Sequence, residues 1–240
     1  MKRITVQVLL VLVMFVLNGT PVLGYQETEV SNGGTIIGEV KLSGTTTKPE
    51  NIPVTKNQEY CGAHKSSEKL LTGTNQGVKN VVVTLENITQ GKKIDKTTRP
   101  VLDNNQCMFS PHVQAAVVGS KLEIRNSDPI LHNTHAFLGN ATVFNLALPL
   151  QGQKIPKALR KPGVVRVQCD AGHGWMSAYV VVTEHPYHAV TDENGAFKIT
   201  DVPPGNYKLN AWHEELGTQV QDVVVKEKEE ATVVFNKLTK

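Results

Sequence analysis

The apolar segments beyond residue 34 are short and separated by turn residues, and this pattern most constrains the fold. They are rich in Val, Ile and Thr and bounded by Gly, Pro, Asn and Asp, which is typical of β-strands. The candidate strands are residues 35–42, 80–85, 115–118, 121–126, 164–169, 177–183, 196–200, 205–212, 219–225 and 231–236. Helical periodicity is confined to residues 155–159, where at most one turn is predicted. The sequence therefore predicts an all-β protein of one or two β-sandwiches.

The first 24 residues have the organisation of a secretory signal peptide. Lys2 and Arg3 precede an apolar run over residues 6–17, and the small or neutral residues Val22-Leu23-Gly24 follow. The run is too short for a helix that spans a bilayer, which needs about 20 residues. We therefore expect cleavage after Gly24, export to the periplasm or the extracellular space, and no transmembrane segment in the mature chain. An uncleaved membrane anchor is the alternative.

Charge and cysteine content limit the function further. The sequence holds 25 Lys and Arg against 22 Asp and Glu, and the predicted signal peptide contains two of the cations, which leaves 23 against 22. A chain so close to neutral is not expected to bind nucleic acid or a membrane surface by electrostatic attraction. The three cysteines, Cys61, Cys107 and Cys169, are an odd set. In an oxidising compartment we expect one disulfide and one thiol with another role, and counting alone does not decide which two pair.

Two turn motifs near the C-terminus carry a family resemblance. Asp192-Glu193-Asn194-Gly195 predicts a hairpin, and Pro203-Pro204-Gly205-Asn206 predicts a second reversal. Residues 191–207 match the pattern TD-x-x-G-x-F-x-I-x-x-V-P-P-G-x-Y. This stretch resembles the carboxypeptidase regulatory-like, transthyretin-like β-sandwich family, whose first strand, G-x-I-x-G-x-V, is matched by residues 34–40.

The resemblance implies a domain organisation. The family needs a second strand, which residues 80–85 supply, and it does not require the roughly one hundred residues between Leu85 and Val190. We therefore expect a split carboxypeptidase regulatory-like sandwich, formed by residues 25–97 plus 188–240, with a second domain inserted at residues 98–187. Two sequential domains divided near residue 187 are the alternative.

One loop of the predicted insert combines a thiol, an imidazole and a thioether. Cys169, His173 and Met176 fall within eight residues between two predicted strands. Such a loop can direct all three side chains at one centre, and this soft ligand set selects copper, above all Cu(I). A His₂Cys set with a weak axial Met is the electron-transfer copper arrangement, and it needs a second imidazole. A packed Cys/His loop without metal is the alternative.

A second imidazole lies upstream in a recognisable context. Residues 119–133 contain the pattern G-x-x-L-x-I-x-N-x-D followed by His132-Asn133. Together with the Cys–His–Met loop, this resembles the cupredoxin family over about residues 100–186. The resemblance implies a Greek-key β-sandwich and a mononuclear, type-1-like copper site. Its ligands would be His132, Cys169, His173 and Met176, and copper would cycle between Cu(II) and Cu(I).

The resemblance also implies roles for the ligands and bears on whether the site holds one or two copper ions. The Cys169 thiolate would bind copper most strongly, His173 would lead the electron out, and Met176 would tune the potential. The Cys-x₃-His-x₂-Met spacing is shorter than, or divided differently from, that of the common mononuclear members. It is closer to the dinuclear site of cytochrome oxidase, but that site needs a cysteine where this chain has Val165, which disfavours a dinuclear site.

Other histidines offer alternative ligands. His135 could replace His132, although residues three apart on an extended strand point to opposite faces. His64, His112, His135 or His213 could build a second metal site. If Cys169 binds copper, Cys61 and Cys107 are left to form the disulfide. The rival interpretation pairs Cys61 with His64 and Cys107 with His112 as metal ligands.

The expected function is that of an exported copper protein that carries single electrons. It would act as a carrier rather than as an enzyme, and its partner would be a redox protein such as a c-type cytochrome or a periplasmic oxidoreductase. The alternatives are a copper enzyme or module with a second histidine-rich site, a copper carrier that exchanges metal, and a cell-surface binding module without a redox role.

Overall fold

The structure is a computed structural model that describes residues 24–45 and 48–238, and nearly every ordered segment in them is a β-strand. The predicted signal peptide therefore lies outside the described residues, except for Gly24. In the described part of the chain, no helix is long and apolar enough to cross a membrane. The all-β prediction is confirmed.

Nine strands between residues 101 and 183 form the two sheets of what we call the central sandwich. They are β7 (Val101–Asn105), β8 (Met108–Ser110), β9 (Val113–Val117), β10 (Lys121–Asn126), β11 (His132–Leu138), β12 (Ala141–Leu148), β13 (Gln153–Ala158), β14 (Gly163–Gln168) and β15 (Ser177–Thr183). One sheet has the order β13-β10-β7-β8 and the other β12-β11-β14-β15-β9. Leu102, Leu122, Ile124 and Val167 are fully buried in the core that these strands enclose.

Seven strands from both sides of this segment form a second pair of sheets, the flanking sandwich. They are β2 (Gly34–Leu42), β5 (Val82–Glu86), β16 (His188–Val190), β17 (Ala196–Val202), β18 (Gly205–His213), β19 (Gly217–Val225) and β20 (Glu230–Leu238). The sheet orders are β17-β2-β20 and β16-β5-β18-β19. Strands from before and after the central sandwich thus pair directly. The nested division at residues 98 and 187 stays a prediction, which these pairings support.

The remaining elements are small. β1 (Gln26–Glu27) pairs with β6 (Gln90–Gly91), and β3 (Asn51–Pro53) pairs with β4 (His64–Ser66) in a hairpin. Between β3 and β4 lies a one-turn helix, α1 (Gln58–Cys61), and a 3₁₀ turn covers Thr74–Gln76.

Five central strands differ from the sequence expectation. The single helical turn predicted at 155–159 is wrong, because this stretch belongs to strand β13. β13 is the edge of its sheet, where Pro156 costs no ladder hydrogen bond. β7, β8, β11 and β12 are also absent from the sequence prediction. In β11 the buried positions His132 and Thr134 are polar, so the apolar alternation of a half-buried strand is missing.

The two sandwiches meet at an apolar cluster and a buried ion pair. Val82, Val113 and Val181 pack together there. Both ring nitrogens of His112 face acceptors: Nδ1 donates to the Ser177 carbonyl at 3.0 Å, and Nε2 donates to the Glu214 carboxylate. Burial by itself lowers the pKa of His112, but the hydrogen bond and the charge of Glu214 outweigh it and raise this pKa. His112 is therefore an imidazolium that links the central sandwich to the turn after β18.

His213 lies close to this cation and has the opposite preference. Its side chain is buried, and its Nδ1 accepts the backbone N–H of Glu215 at 3.2 Å. Burial and the charge of His112 lower the pKa of His213 to about 4. The folded protein therefore holds this imidazole neutral.

We expect His213 to make the fold sensitive to acid. The unfolded chain binds a proton at His213 below about pH 6.5, whereas the folded chain does not until about pH 4, so stability falls as the pH falls between these values. His213→Gln should reduce the loss of unfolding free energy between pH 7 and pH 4 by on the order of 3 kcal/mol, measured by urea denaturation. His64→Gln, at an exposed site, should retain the wild-type pH profile. Identical profiles for wild type and His213→Gln would contradict this assignment.

Candidate metal centre

Two loops at one end of the central sandwich bring His132, Cys169 and His173 together. His132 is the first residue of β11, and Cys169 directly follows β14. These strands pair antiparallel, with His135 opposite Gln168, so the start of β11 lies beside the end of β14. His173 lies in the tight loop that leads from β14 into β15. One ligand atom from each of the three side chains lies within 4.8 Å of the others, and all three side chains are buried.

The imidazoles are oriented with their Nδ1 atoms available to a metal. The Nδ1 of His173 lies 3.6 Å from Cys169 Sγ, and the two imidazole ring centres are 4.8 Å apart. The Nδ1 of His132 is buried and has no hydrogen-bond partner among the residues that the structure describes. The backbone N–H of Asn133 donates to Cys169 Sγ at 3.4 Å. An unpartnered ring nitrogen buried beside a thiol and a second imidazole fits a metal ion in this position.

The Asp128 carboxylate fixes the orientation of His132. Its Oδ2 accepts the Nε2–H of His132 at 2.8 Å and the backbone N–H of Cys107 at 2.8 Å. Its Oδ1 accepts the backbone N–H of Gln106 at 2.6 Å and the Tyr60 hydroxyl at 2.9 Å. Burial raises the pKa of Asp128, but these hydrogen bonds outweigh it and lower the pKa, so the carboxylate stays ionised. Metal-binding histidines are commonly oriented by such a bond at the other ring nitrogen.

Asn57 plays the corresponding role for His173. Its Oδ1 accepts the Nε2–H of His173 at 3.0 Å, and the His173 side chain is 0% exposed. Burial, together with the charges of His132 and Lys56, lowers the pKa of His173 to about 4. For His132, burial lowers the pKa, but Asp128 and Cys169 outweigh it and raise this pKa. Of the two imidazoles, His132 therefore binds a proton more readily than His173.

Met176 and Trp175 complete the loop. Met176 is buried, and its backbone N–H donates to the His173 carbonyl at 2.9 Å, which closes the turn. Trp175 donates its Nε1–H to the Cys107 carbonyl at 2.8 Å and packs its ring against His173, with ring centres 5.2 Å apart. Both side chains share a core cluster with Cys169. The axial role of Met176 stays a prediction.

The alternative histidines lie elsewhere. His135 points to the opposite face of β11, where it contacts Asp170 Oδ2 at 2.5 Å and the Thr142 hydroxyl at 2.9 Å. His64 lies on the exposed strand β4, and His112 and His213 lie between the sandwiches. Among the described residues, none of these four joins a group of three metal-ligating side chains.

The structure shows which two cysteines form the disulfide. Cys61 and Cys107 form a disulfide, and their sequence separation is 46. Closing a loop of this length stabilises the fold by ~3–4 kcal/mol. The rival pairing of these cysteines with His64 and His112 as metal ligands is therefore wrong, because both sulfurs are bonded to each other. Cys169 is the free thiol. Sequence reasoning missed Asp128, Asn57 and Tyr60, although Asp128 stood within the matched cupredoxin pattern.

Comparison with known proteins supports part of this organisation. Residues 163–237 match the model of the carboxypeptidase regulatory-like domain, so the resemblance seen in the hairpin motifs is confirmed. The match begins in β14 of the central sandwich and extends into β20 of the flanking sandwich. No curated protein sequence matches the chain.

Several solved copper proteins are similar in structure to part of the chain. A purple cupredoxin from Nitrosopumilus maritimus is 22% identical with a TM-score of 0.31, and the match covers 35% of this chain and 99% of that one. Amicyanin from Paracoccus versutus is 14% identical with a TM-score of 0.33, covering 36% and 83%. A copper-containing nitrite reductase from Thermus scotoductus is 18% identical with a TM-score of 0.33, covering 40% of this chain and 26% of the reductase.

We expect Asp128→Asn to destabilise the metal-free protein at pH 7 by about 2–4 kcal/mol, because an amide cannot accept all four of the donors that converge on the carboxylate. Urea denaturation measures the change. Asp170→Asn is the matched control: its carboxylate contacts His135 at the surface and should contribute less than about 1 kcal/mol. Equal effects of the two substitutions would show that Asp128 does not organise the site.

Proposed function

We propose that this chain is an exported copper protein that holds one copper ion and carries single electrons. The observation that supports the proposal most directly is the His132–Cys169–His173 group. Its three ligand atoms converge in a buried site, and both imidazoles present Nδ1 while their Nε2 atoms are held by Asp128 and Asn57. A thiolate with two imidazoles suits copper, and Met176 would be the weak fourth ligand.

The protein's contribution is to hold these ligands in one geometry. Asp128 and Asn57 each fix one imidazole, and the Asn133 N–H donates to the Cys169 sulfur. A bound copper ion would supply one-electron chemistry between Cu(II) and Cu(I). Ligands that are already placed need little movement when the charge of the ion changes, which suits electron transfer.

Burial of the ligands favours a carrier over an enzyme. His132 and His173 are 0% exposed and Cys169 is 5% exposed. A substrate would need a free coordination position with access to solvent, as catalytic metal sites keep. The partner would then be another redox protein, such as a c-type cytochrome or a periplasmic oxidoreductase. The Cys61–Cys107 disulfide supports an oxidising, exported location.

The test is the spectrum of the copper-loaded chain. With one equivalent of Cu(II), the chain expressed without residues 1–24 should show an intense thiolate-to-copper absorption band and an EPR signal of a single copper. Cys169→Ser should abolish the band, because it removes the thiolate, and His135→Gln should leave it unchanged, because His135 lies on the other face of β11. A folded protein without the band would contradict the proposal, and so would two bound copper ions per chain after loading with excess Cu(II) and removal of unbound metal.

A further inference from the structure

A hairpin loop from outside the metal-binding motifs lies over the candidate centre. We call residues 54–62, between β3 and β4, the cap. Asn57 of the cap has a left-handed backbone, with φ of 54°, and its side chain accepts the Nε2–H of His173 at 3.0 Å. The edge of His173 that points away from Cys169 is therefore covered by the cap rather than by solvent.

Two further contacts attach the cap to the metal-binding loops. Lys56 Nζ donates to the Ala171 carbonyl at 2.7 Å. The Lys56 side chain crosses so close to Gly172 that a Cβ there would meet Lys56 Cδ at 2.9 Å, and the φ of +90° at Gly172 also favours glycine. Tyr60 donates its hydroxyl to Asp128 Oδ1 at 2.9 Å. The cap thus supplies the hydrogen-bond partner of His173 and contacts Asp128, the partner of His132.

The cap has little stability of its own. Its base consists of two strands of three residues each, β3 and β4, and its tip is the single turn of α1. A hairpin of this size is marginal in water without a covalent or tertiary support. The support is the Cys61–Cys107 disulfide, which joins the tip to the turn whose backbone donates to Asp128.

We propose that the cap closes the metal centre and that the Cys61–Cys107 disulfide is the latch that keeps it closed. The proposal rests on the proposed function for the identity of the metal. Both cysteines are buried, so a dithiol reductant reaches the disulfide when the cap opens locally. Thiol–disulfide exchange then breaks the Cys61–Cys107 bond, a disulfide forms in the reductant, and two electrons and two protons end on the thiols of Cys61 and Cys107. The opened cap uncovers the Nε2 edge of His173 and releases the loop that joins Cys169 to His173, which Lys56 holds at Ala171 and Gly172. Cys169 then becomes reactive, and copper enters and leaves faster in the reduced form.

The decisive measurement is the reactivity of Cys169 in the metal-free protein. The rate of its modification by N-ethylmaleimide is followed by mass spectrometry of the peptide that contains it. In Cys61→Ser/Cys107→Ser, modification should be about tenfold faster or more than in the wild type, since local opening no longer breaks a covalent link. His64→Gln, on the base of the same hairpin, should react at the wild-type rate. An unchanged rate in a folded double variant would overturn the proposal.

A second variant and a second measurement keep the test valid if the double variant does not fold. Lys56→Ala/Asn57→Ala leaves the disulfide intact and removes two cap contacts, so Cys169 should be modified faster than in wild type but slower than after brief reduction of the wild type by dithiothreitol. Hydrogen exchange of residues 54–62 should accelerate on the same reduction. Unchanged exchange in the cap after reduction would also overturn the proposal.

The cap and the copper assignment can fail separately. Exposure of Cys169 on reduction is measured without metal, so it stands even if the chain binds no copper. In a chain that does bind copper, transfer of Cu(I) to bicinchoninate should be faster after reduction of the disulfide. If copper binds but the rates of Cys169 modification and Cu(I) transfer are the same before and after reduction of the disulfide, the copper assignment stands and the latch proposal is wrong.

Discussion

A single buried carboxylate, Asp128, connects the parts of the chain that meet at the candidate centre. Burial of an ion without compensation costs several kcal/mol, and here four donors from three separate segments compensate it. One donor is His132, two are backbone N–H groups of the 106–107 turn, and one is Tyr60 of the cap. Each segment is therefore positioned by the need to satisfy the same charge. Asp128 therefore fixes the positions of His132, the 106–107 turn and Tyr60 relative to one another.

A second histidine–carboxylate pair, His112 with Glu214, connects the two sandwiches. His112 donates from both ring nitrogens, to the Ser177 carbonyl and to Glu214, and so carries a charge between the sandwiches. His132 donates only from Nε2, and its Nδ1 stays free for a metal. The two pairs use similar residue types but differ in the number of acceptors around the imidazole. With two acceptors, His112 forms a structural ion pair, whereas with one acceptor His132 keeps a ring nitrogen available as a candidate ligand.

The sequence allowed strands and candidate ligands to be identified where the signal is local. Cys169, His173 and Met176 lie on one tight loop, and the turn residues around Asn194 and Gly205 mark strand ends without reference to the rest of the chain. β11 could not be predicted in this way, because the polar residues His132 and Thr134 occupy its buried positions, so the strand lacks the usual apolar alternation. Asn57 could not be found by spacing, because 116 residues separate it from His173 in the sequence. Its polar, turn-rich surroundings indicate only an irregular connection until the fold brings that connection across the metal-binding loop.

The cap separates the candidate metal ligands from the protein surface. A ligand imidazole at the surface would let a redox partner approach the metal through a single side chain, but His173 is covered by Asn57. A protein that approaches this side of the centre meets the exposed residues Lys56, Glu59 and Tyr60 before it reaches His173. The candidate ligands are thus separate from the residues exposed on this side of the centre. Tyr60 donates its hydroxyl to Asp128 while its residue is 42% exposed, so one side chain connects the surface to the carboxylate that orients His132.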